Sequence, residues 1–276
     1  MVPFRDIRMD LMSSKEVARY LKKKDTVLLP VGCFEMHGPL VPLACDALMD
    51  WAGALLLGEK WKVLVMPPVY YTFPGASGPW PGTVDISPEI TIAYVKEIVK
   101  ALLKNGFGKV VLCASHSPAA FMLQSVIRSV LQETGKVVIH IVPMSFLMPN
   151  DLVQEEFGGP LTEDLYLLGM MKVLGLEEAF DPEAPVERPC EFPSKSIRKL
   201  ARFGGTNVAP WLFLKDYQHT GIRKGLKRSD ADRAMKVVKK ALDRLDDLPS
   251  LFAEYQKEIS AFLKSKPWTR DDAWTV

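Results

Sequence analysis

Three residues in one loop of the sequence could hold a divalent metal ion: Glu35, His37 and Asp46. Glu35 and His37 lie two positions apart after a short apolar run, and such residues point to the same side of an extended chain. Asp46 returns after a Gly/Pro-rich turn, where a helix is predicted to begin. Carboxylate and imidazole together suit zinc, manganese or iron better than calcium, which prefers oxygen ligands. Spacing alone also fits a surface loop with a salt bridge.

A fourth candidate ligand, His116, follows another apolar run and is flanked by Ser115 and Ser117. Taken alone, it is interpreted most simply as a lone hydrogen-bonded histidine. The alternative is that two parallel strands end side by side, so that His116 faces the first loop. In that case we expect Ser115 and Ser117 to contact the substrate. Trp80, in the loop 70–86, is a further candidate for the pocket wall or a lid, with ordinary loop packing as the alternative.

The other reactive side chains are interpreted more simply. His140 alternates with isoleucines and is predicted to be a packed, hydrogen-bonded histidine, and His219 is predicted to lie in a surface loop. Cys33 and Cys45 flank the candidate loop. We expect both to be small buried fillers, with a soft metal ligand or a nucleophile as the alternatives.

Apolar runs alternate with helical patterns along the chain, which predicts an α/β fold with a parallel sheet covered by helices on both faces. Ser229 is predicted to cap an amphipathic helix, and residues 176–210 to be irregular. Ligands of such sheets bind beyond the carboxyl ends of the strands, where the candidate ligands lie. The predicted strands cover residues 26–31, 62–69, 109–115 and 136–143. The predicted helices cover residues 14–24, 46–60, 88–104, 118–133, 162–174, 229–245 and 251–263.

Composition excludes several classes of function. Hydrophobic residues make up 48% of the 276 residues and the formal net charge is only +2, so neither nucleic acid nor an anionic membrane is an expected partner. No membrane span and no signal peptide is predicted, and the cysteines form no CxxC pair, so we expect a cytoplasmic protein with reduced thiols. We expect one domain over residues 1–276. The basic stretches 193–202 and 223–228 are predicted to be solvated faces, with contact to an anionic substrate or a neighbouring subunit as the alternative.

Four stretches carry a family resemblance. VGCFEMHGPLVPLACD resembles the signature of the creatininase (creatinine amidohydrolase) family, which reads roughly GSxEqHGPHLPLgtD. FPGASGPWPGTVDISPE resembles the family's glycine-rich stretch, and VVLCASHSP stands where the family has a strand ending in NGHGGN. GGTNVAP through GIRKG is similar to its C-terminal region more loosely. The resemblance implies a creatininase-like three-layer fold, commonly a hexamer, that binds one or two divalent ions and cleaves amide bonds of small cyclic amides or formamides.

The resemblance also implies a role for each ligand. Glu35 and His116 would hold one ion, His37 the other, and Asp46 would bridge them. Zinc is the expected metal, with manganese or iron as alternatives.

Four positions depart from the family pattern. Pro118 stands where the family has a carboxylate two residues after the histidine, and Leu40 replaces the second histidine of GPH. Phe157 stands at a catalytic histidine position. Glu163 aligns with the family's glutamate only after a one-residue shift, and we expect it to be a fifth ligand or the general base.

Three functional hypotheses follow. The first is a metal-dependent hydrolase of the C–N amide bond of a small polar molecule. The second is a non-catalytic or single-metal scaffold that binds a small ligand or a partner, which the departures at Pro118 and Phe157 motivate. The third keeps the hydrolase fold but uses Cys33 or Cys45 as a thiolate nucleophile.

Overall fold

The apolar runs of the sequence form a parallel sheet in the computed structural model, which describes residues 3–38, 41–183, 195–205, 209–210, 212–213 and 223–269. The strands of this part of the chain are β1 Thr26–Pro30, β2 Leu64–Val65, β3 Lys109–Cys113 and β4 Ile139–Ile141. Its helices are α1 Ser14–Leu21, α2 Cys45–Trp61, α3 Pro88–Lys104, α4 Ser117–Thr134, α5 Pro143–Leu147, α6 Asn150–Phe157, α7 Glu163–Leu174, α8 Lys195–Gly204, α9 Ala231–Asp243 and α10 Leu248–Ser265.

The sheet has the strand order β2-β1-β3-β4, and all paired strands are parallel. Its apolar side chains alternate between two cores because successive residues of a strand point to opposite faces. Val27 and Leu29 pack with residues of α3 and α4, whereas Leu28 packs with residues of α2, α7 and α9. Both faces are covered, which explains why the strands are continuously apolar and confirms the predicted α/β class.

The order of the strands places a crevice between the ends of β1 and β3. From β1 the chain passes through α2 to β2 on one side, and it then returns through α3 to β3 on the other side. The connections therefore diverge beyond the carboxyl ends of two neighbouring strands, which is where open α/β sheets bind ligands. The loop with Glu35 and His37 leaves β1 here, and His116 follows β3.

Two of the predicted helices begin after a capping serine. Ser13 accepts a hydrogen bond from Glu16 N, and the Glu16 side chain accepts one from Ser13 N, which forms a capping box. Ser87 accepts one from Ile90 N, and Pro88 takes the first helical position.

The strands predicted at 62–69 and 136–143 are much shorter in the structure. Lys62 adopts a left-handed conformation with φ 54° at the end of α2, and two prolines after Met66 lack the N–H that a ladder requires. Only Leu64–Val65 pairs as a strand, and Val69 forms a separate bridge with Val31. In the second case Pro143 begins α5, so only Ile139–Ile141 pairs.

Two predictions in the C-terminal half are wrong. Residues 176–210 are not wholly irregular, because α8 is an amphipathic helix that buries Ile197. Ser229 does not cap α9: it lies in a 3-10 turn, and Asp230 takes the N-cap position. The predicted apolar face of α9 is nevertheless buried, at Ala234, Val237, Val238 and Ala241. In the described part of the chain, no helix combines the length and the apolarity needed to cross a membrane.

Candidate metal centre

A close approach between β1 and α2 brings the candidate ligands together. Gly32 follows β1, and a Cβ atom at this position would lie only 2.3 Å from Ala47 N. Only a glycine therefore lets the first turn of α2 pack against the loop. That packing sets Asp46 beside Glu35 and His37, and all three side chains are buried.

The four predicted ligands converge on one point of the crevice. His37 Nε2 lies 3.3 Å from Asp46 Oδ2 and 3.7 Å from Glu35 Oε1. His116 Nε2 lies 3.1 Å from Glu35 Oε1, so the two strand ends meet as expected. His116 is therefore not a lone surface histidine, and Glu35 and His37 are not an exposed ion pair. Their role as metal ligands stays a prediction.

Neighbouring groups fix the orientation of these ligands. His37 Nδ1 lies 3.3 Å from the carbonyl oxygen of Glu35, and a proton on Nδ1 would leave the Nε2 lone pair free for a metal. The Ser77 hydroxyl donates a hydrogen bond to Glu35 Oε2, the carboxylate oxygen that does not face His116. Among the residues that the structure describes, His116 Nδ1 is buried without a hydrogen-bond partner.

Asp50 supports the site without joining it. This fully buried residue lies one turn after Asp46 on α2, and both its carboxylate oxygens accept from Ser115 N at 2.9 and 2.8 Å. The contact ties α2 to the end of β3, directly before His116. Burial raises the pKa of Asp50 to about 8. The sequence carried a signal for Asp50 in its i, i+4 spacing from Asp46, whereas nothing in the spacing of Ser77 pointed to Glu35.

The site is electrostatically suited to a cation. No Lys or Arg is found among the described residues that line the cavity, although Glu35, Asp46 and Glu163 all reach it. Burial opposes a charge on His37, but Cys45 and Asp46 outweigh it and raise the His37 pKa well above its usual value. Burial would also raise the pKa of Asp46, but His37 and His116 outweigh it and lower that pKa. The carboxylates thus favour protonated, positively charged imidazoles. A metal ion bound to the same groups would supply that positive charge in place of the protons.

The spacing of the donor atoms fits divalent metal binding. Ligand atoms about 2.1 Å from a tetrahedral ion lie roughly 3.4 Å from one another. Within each group of candidate ligands the donor atoms lie close to that separation: Glu35 Oε1 and His116 Nε2 are 3.1 Å apart, and His37 Nε2 and Asp46 Oδ2 are 3.3 Å apart. The residues present therefore fit the group that the resemblance implies.

Glu163 begins α7 and reaches the same point from another layer of the fold. Its Oε1 atom lies 3.9 Å from His37 Nε2, and its side chain remains 33% exposed. Burial, together with the Asp46 carboxylate, raises the pKa of Glu163 to about 7 against the opposing effect of His37. A carboxylate that titrates near neutral pH can accept and return a proton, as a general base must.

The ligands form one wall of a cavity of about 270 Å³. Ser115 and Ser117 line it, and their contact with a substrate stays a prediction. Trp80 is not among the lining residues that the structure describes; its Nε1–H donates to the carbonyl oxygen of Phe213, which does line the cavity. The other walls are mostly apolar and consist of Met49, Pro74, Ala76, Pro118, Met144 and Phe213.

Cys33 and Cys45 are both buried, as predicted for fillers, but both lie within the cluster. Cys33 Sγ lies 3.1 Å from Asp46 Oδ2 and 3.6 Å from His116 Nε2. Burial raises the pKa of Cys45 to about 12 and that of Cys33 well above its usual value. Such thiols are poor nucleophiles at neutral pH, which argues against the third hypothesis.

Phe157, at the family's catalytic histidine position, has a structural role instead. Its ring packs against the guanidinium groups of Arg223 and Arg233, 5.5 and 4.3 Å from the ring centroid. Arg223 also donates to the carbonyl oxygens of Phe157 and Pro160. The predicted solvated face over 223–228 is therefore wrong for Arg223, which clamps the segment before Glu163, and for the buried Leu226. In the other basic stretch, Arg198, Lys199 and Arg202 are exposed as predicted.

The remaining histidine prediction is confirmed where the structure describes it. His140 is half-buried, and its Nε2 atom lies 3.0 Å from the carbonyl oxygen of Ala114. His219, Cys190 and Leu40 lie outside the described residues.

Fold and site together define an α/β protein with buried carboxylates and imidazoles at the switch point of a parallel sheet. Residues 10–173 match the creatininase family, described as creatinine amidohydrolase, and the chain belongs to this family. The resemblance inferred from the motifs is thereby confirmed.

Two curated relatives are similar over part of the chain. A 3-dehydro-scyllo-inosose hydrolase of Thermotoga maritima is 30% identical over 106 residues, which are 38% of this chain and 34% of that protein. A creatinine amidohydrolase of Pseudomonas putida is 30% identical over 108 residues, 37% of this chain and 42% of that protein. The matches thus span less than half the length of either relative.

Solved structures agree over a longer stretch. A structure described as "Creatininase Mn" has a TM-score of 0.66 at 17% identity, covering 91% of this chain and 99% of that one. A creatininase mutant described as "Zn-Zn type" has a TM-score of 0.65 at 18% identity, covering 90% and 98%. At these identities the likeness shows the fold, and the predicted creatininase-like architecture is confirmed.

Proposed function

We propose that the protein is a metal-dependent hydrolase that cleaves the C–N amide bond of a small polar molecule. The observation that carries this proposal is the convergence of Glu35, His37, Asp46 and His116 in a buried site without a neighbouring Lys or Arg among the described residues. Both curated relatives are named hydrolases, and one is named an amidohydrolase. Cyclic amides and formamides are the substrate classes that the motifs favour.

In this proposal each residue has a role set by its position. Glu35, Asp46 and His116 hold one divalent ion, and His37 holds a second that Asp46 shares. An ion bound in this way lowers the pKa of water and polarises a carbonyl group. Zinc fits the mixed nitrogen and oxygen ligands, and the manganese and zinc forms of the structural neighbours keep manganese as an alternative.

Glu163 supplies the proton transfer. It accepts a proton from the water whose oxygen bonds to the carbonyl carbon, and it returns that proton to the amide nitrogen as the C–N bond breaks. The products are a carboxylic acid and an amine, so the atoms balance. Ser115 and Ser117 offer hydroxyl groups to the polar part of the substrate, while Met144 and Phe213 pack against its apolar part.

Metal content and a substrate screen test the proposal together. Elemental analysis of the purified protein should find one or two divalent ions per chain. A screen of formamides and of cyclic amides, including creatinine, should reveal hydrolysis that chelation abolishes and added zinc restores. Protein that binds no divalent ion, or hydrolysis that survives complete chelation, would overturn the proposal. Insensitivity of the hydrolysis to thiol alkylation would separate it from cysteine chemistry.

A second candidate is a single-metal or non-catalytic scaffold, favoured by Pro118 and by the structural role of Phe157. It predicts at most one ion per chain and no turnover in the same screen. A ligand would still bind the cavity, and heat released on titration with substrate analogues would detect it.

Assembly and location complete the proposal. We infer a single domain over residues 1–276, a homo-oligomer such as the hexamer that the resemblance implies, and a cytoplasmic location. Light scattering of the purified protein measures the mass of the oligomer. Limited proteolysis tests for a second independently folded unit.

A further inference from the structure

The ligand atoms around Asp46 fall into two groups that differ in how many nitrogen and oxygen ligands they contain. Cys33, Glu35, Asp46 and His116 form one group, and His37, Cys45 and Asp46 form the other. The second group has only two nitrogen or oxygen ligands, because Pro118 stands where the resemblance implies a carboxylate. Glu35 Oε1 lies 3.7 Å from His37 Nε2 but belongs to the first group, and Glu163, at 3.9 Å, remains 33% exposed.

Cys45 supplies the third donor atom of the second group. It is the first residue of α2, directly before Asp46, and only 1% of its surface is exposed. Its sulfur lies within 4.8 Å of donor atoms of both His37 and Asp46, and it shares a side-chain hydrogen bond with His37. A zinc ion with a sulfur ligand at about 2.3 Å and nitrogen at about 2.1 Å would separate those atoms by roughly 3.6 Å. The sulfur is therefore within range.

We propose that Cys45 is a thiolate ligand of the second metal ion, with His37 and Asp46, in the place of the carboxylate missing at Pro118. This inference rests on the proposed function, since it assumes that the cluster binds two ions. Coordination removes the thiol proton, so binding of the second ion releases it. A sulfur ligand also favours zinc, cobalt or cadmium over manganese at this position.

Titration with cobalt(II) tests the assignment in the metal-stripped protein. The wild type should bind two equivalents, and a near-ultraviolet sulfur-to-cobalt band should grow with the second. Cys45→Ser should remove that band and lower the affinity for the second equivalent by about 10-fold or more. Loss of a ligand should cost at least as much metal affinity as loss of a residue that hydrogen-bonds to a ligand. Cys113→Ser is the matched control: Cys113 is buried in β3 and its Sγ contacts Val111 O at 3.9 Å. Cys33→Ser should keep the band of the second equivalent.

A measurement on the unaltered protein covers the case in which Cys45→Ser fails to fold. X-ray absorption at the zinc edge of the two-zinc protein should show sulfur at about 2.3 Å, and Cys33→Ser should retain it. Absence of sulfur, or a second equivalent unchanged in folded Cys45→Ser, overturns the inference while the proposed hydrolase stands. Wild-type protein that binds a single ion also overturns it. Protein that binds no divalent metal overturns the proposed function itself.

Discussion

The two halves of the cluster around Asp46 differ in how the fold holds them. Glu35 and His116 leave neighbouring strands, are buried, and lie 3.1 Å apart with a further hydrogen bond from Ser77. On the other side, His37 has Asp46 at 3.3 Å and Cys45 in the same group, but its further carboxylate neighbour Glu163 arrives from α7 at 3.9 Å and is partly exposed. Ligands from paired strands are positioned by the sheet, whereas a ligand from a distant helix is positioned only by the packing of that helix. The first half is therefore the rigid one, and the second is where metal binding and chemistry can be tuned.

Removing the residue that both halves share has the largest expected effect. Asp46→Ala should abolish binding of both ions and all hydrolysis, because Asp46 Oδ2 contacts both His37 Nε2 and Cys33 Sγ. Elemental analysis after purification in zinc measures the loss. Asp232→Ala, at a side chain that is 78% exposed on α9, is the matched control and should keep full metal content. Stoichiometric metal in folded Asp46→Ala would show that Asp46 is not the bridge.

Glu163→Gln separates chemistry from metal binding. We expect the hydrolysis rate to fall by about 10²–10⁴-fold, with at least the ion of the Glu35 half retained. A general base works when deprotonated, so wild-type activity should rise with pH through the pKa of Glu163, which is about 7 in the metal-free protein. A bound cation lowers that pKa, so the rising limb should lie at or below pH 7.

The pH profile of Glu163→Gln decides whether Glu163 is the base. The rising limb should disappear from the profile of the variant, leaving a low and flat rate. An unchanged limb would assign the proton transfer to another group. Loss of both ions instead would place Glu163 among essential ligands.

Ser77→Ala should weaken the rigid half alone. The Ser77 hydroxyl donates to Glu35 Oε2, and loss of such an outer partner costs about 10–100-fold in metal affinity. Calorimetric titration should show the tighter of the two binding events weakened and the other unchanged. Ser145→Ala, at an exposed serine of α5, should change neither. Equal weakening of both events would mean that the two halves are not independent.

The sequence predicted the rigid half well because its signals are local. Apolar runs mark β1 and β3, and the residues directly after them supply Glu35, His37 and His116. The close approach at Gly32 and the start of α2 then place Asp46 beside them. Because ligands bind beyond the carboxyl ends of parallel strands, the cluster is one of the interpretations that the sequence supports, and only the structure shows that β1 and β3 are neighbours.

The other features depended on packing between distant segments, which spacing does not encode. Ser77 reaches Glu35 from a loop 42 positions away in sequence. Arg223 clamps the segment before Glu163 from 66 positions beyond Phe157, so the predicted solvated face is wrong at this residue. The helix α8 carries an apolar periodicity at Ile197, Leu200 and Ala201, yet its proline-rich surroundings favoured an irregular segment.

Asp50 offers the test with the smallest expected effect on metal binding, because it supports the rigid half without being a ligand in our proposal. Its pKa is about 8 in the folded protein, above the usual aspartate value of 3.8. Between those values the folded state keeps a proton that the unfolded state has released. The contribution of Asp50 to stability is therefore complete below about pH 4 and is lost as pH rises to about 8, by about 1.4 kcal/mol per pH unit.

Asp50→Asn cannot titrate and should lack this loss. Urea unfolding of chelator-treated protein measures the free energy of unfolding between pH 5 and pH 8. Relative to wild type, this free energy should increase for the variant as pH rises, because only the wild type has a buried acid that stays protonated on folding. Asp232→Asn should follow the wild-type curve. Parallel curves for wild type and Asp50→Asn would mean that Asp50 titrates normally. The hydrogen bonds from Ser115 N to Asp50 would then be made to an ionised carboxylate. The rigid half would in that case be stabilised by a charged Asp50 and not by a neutral one.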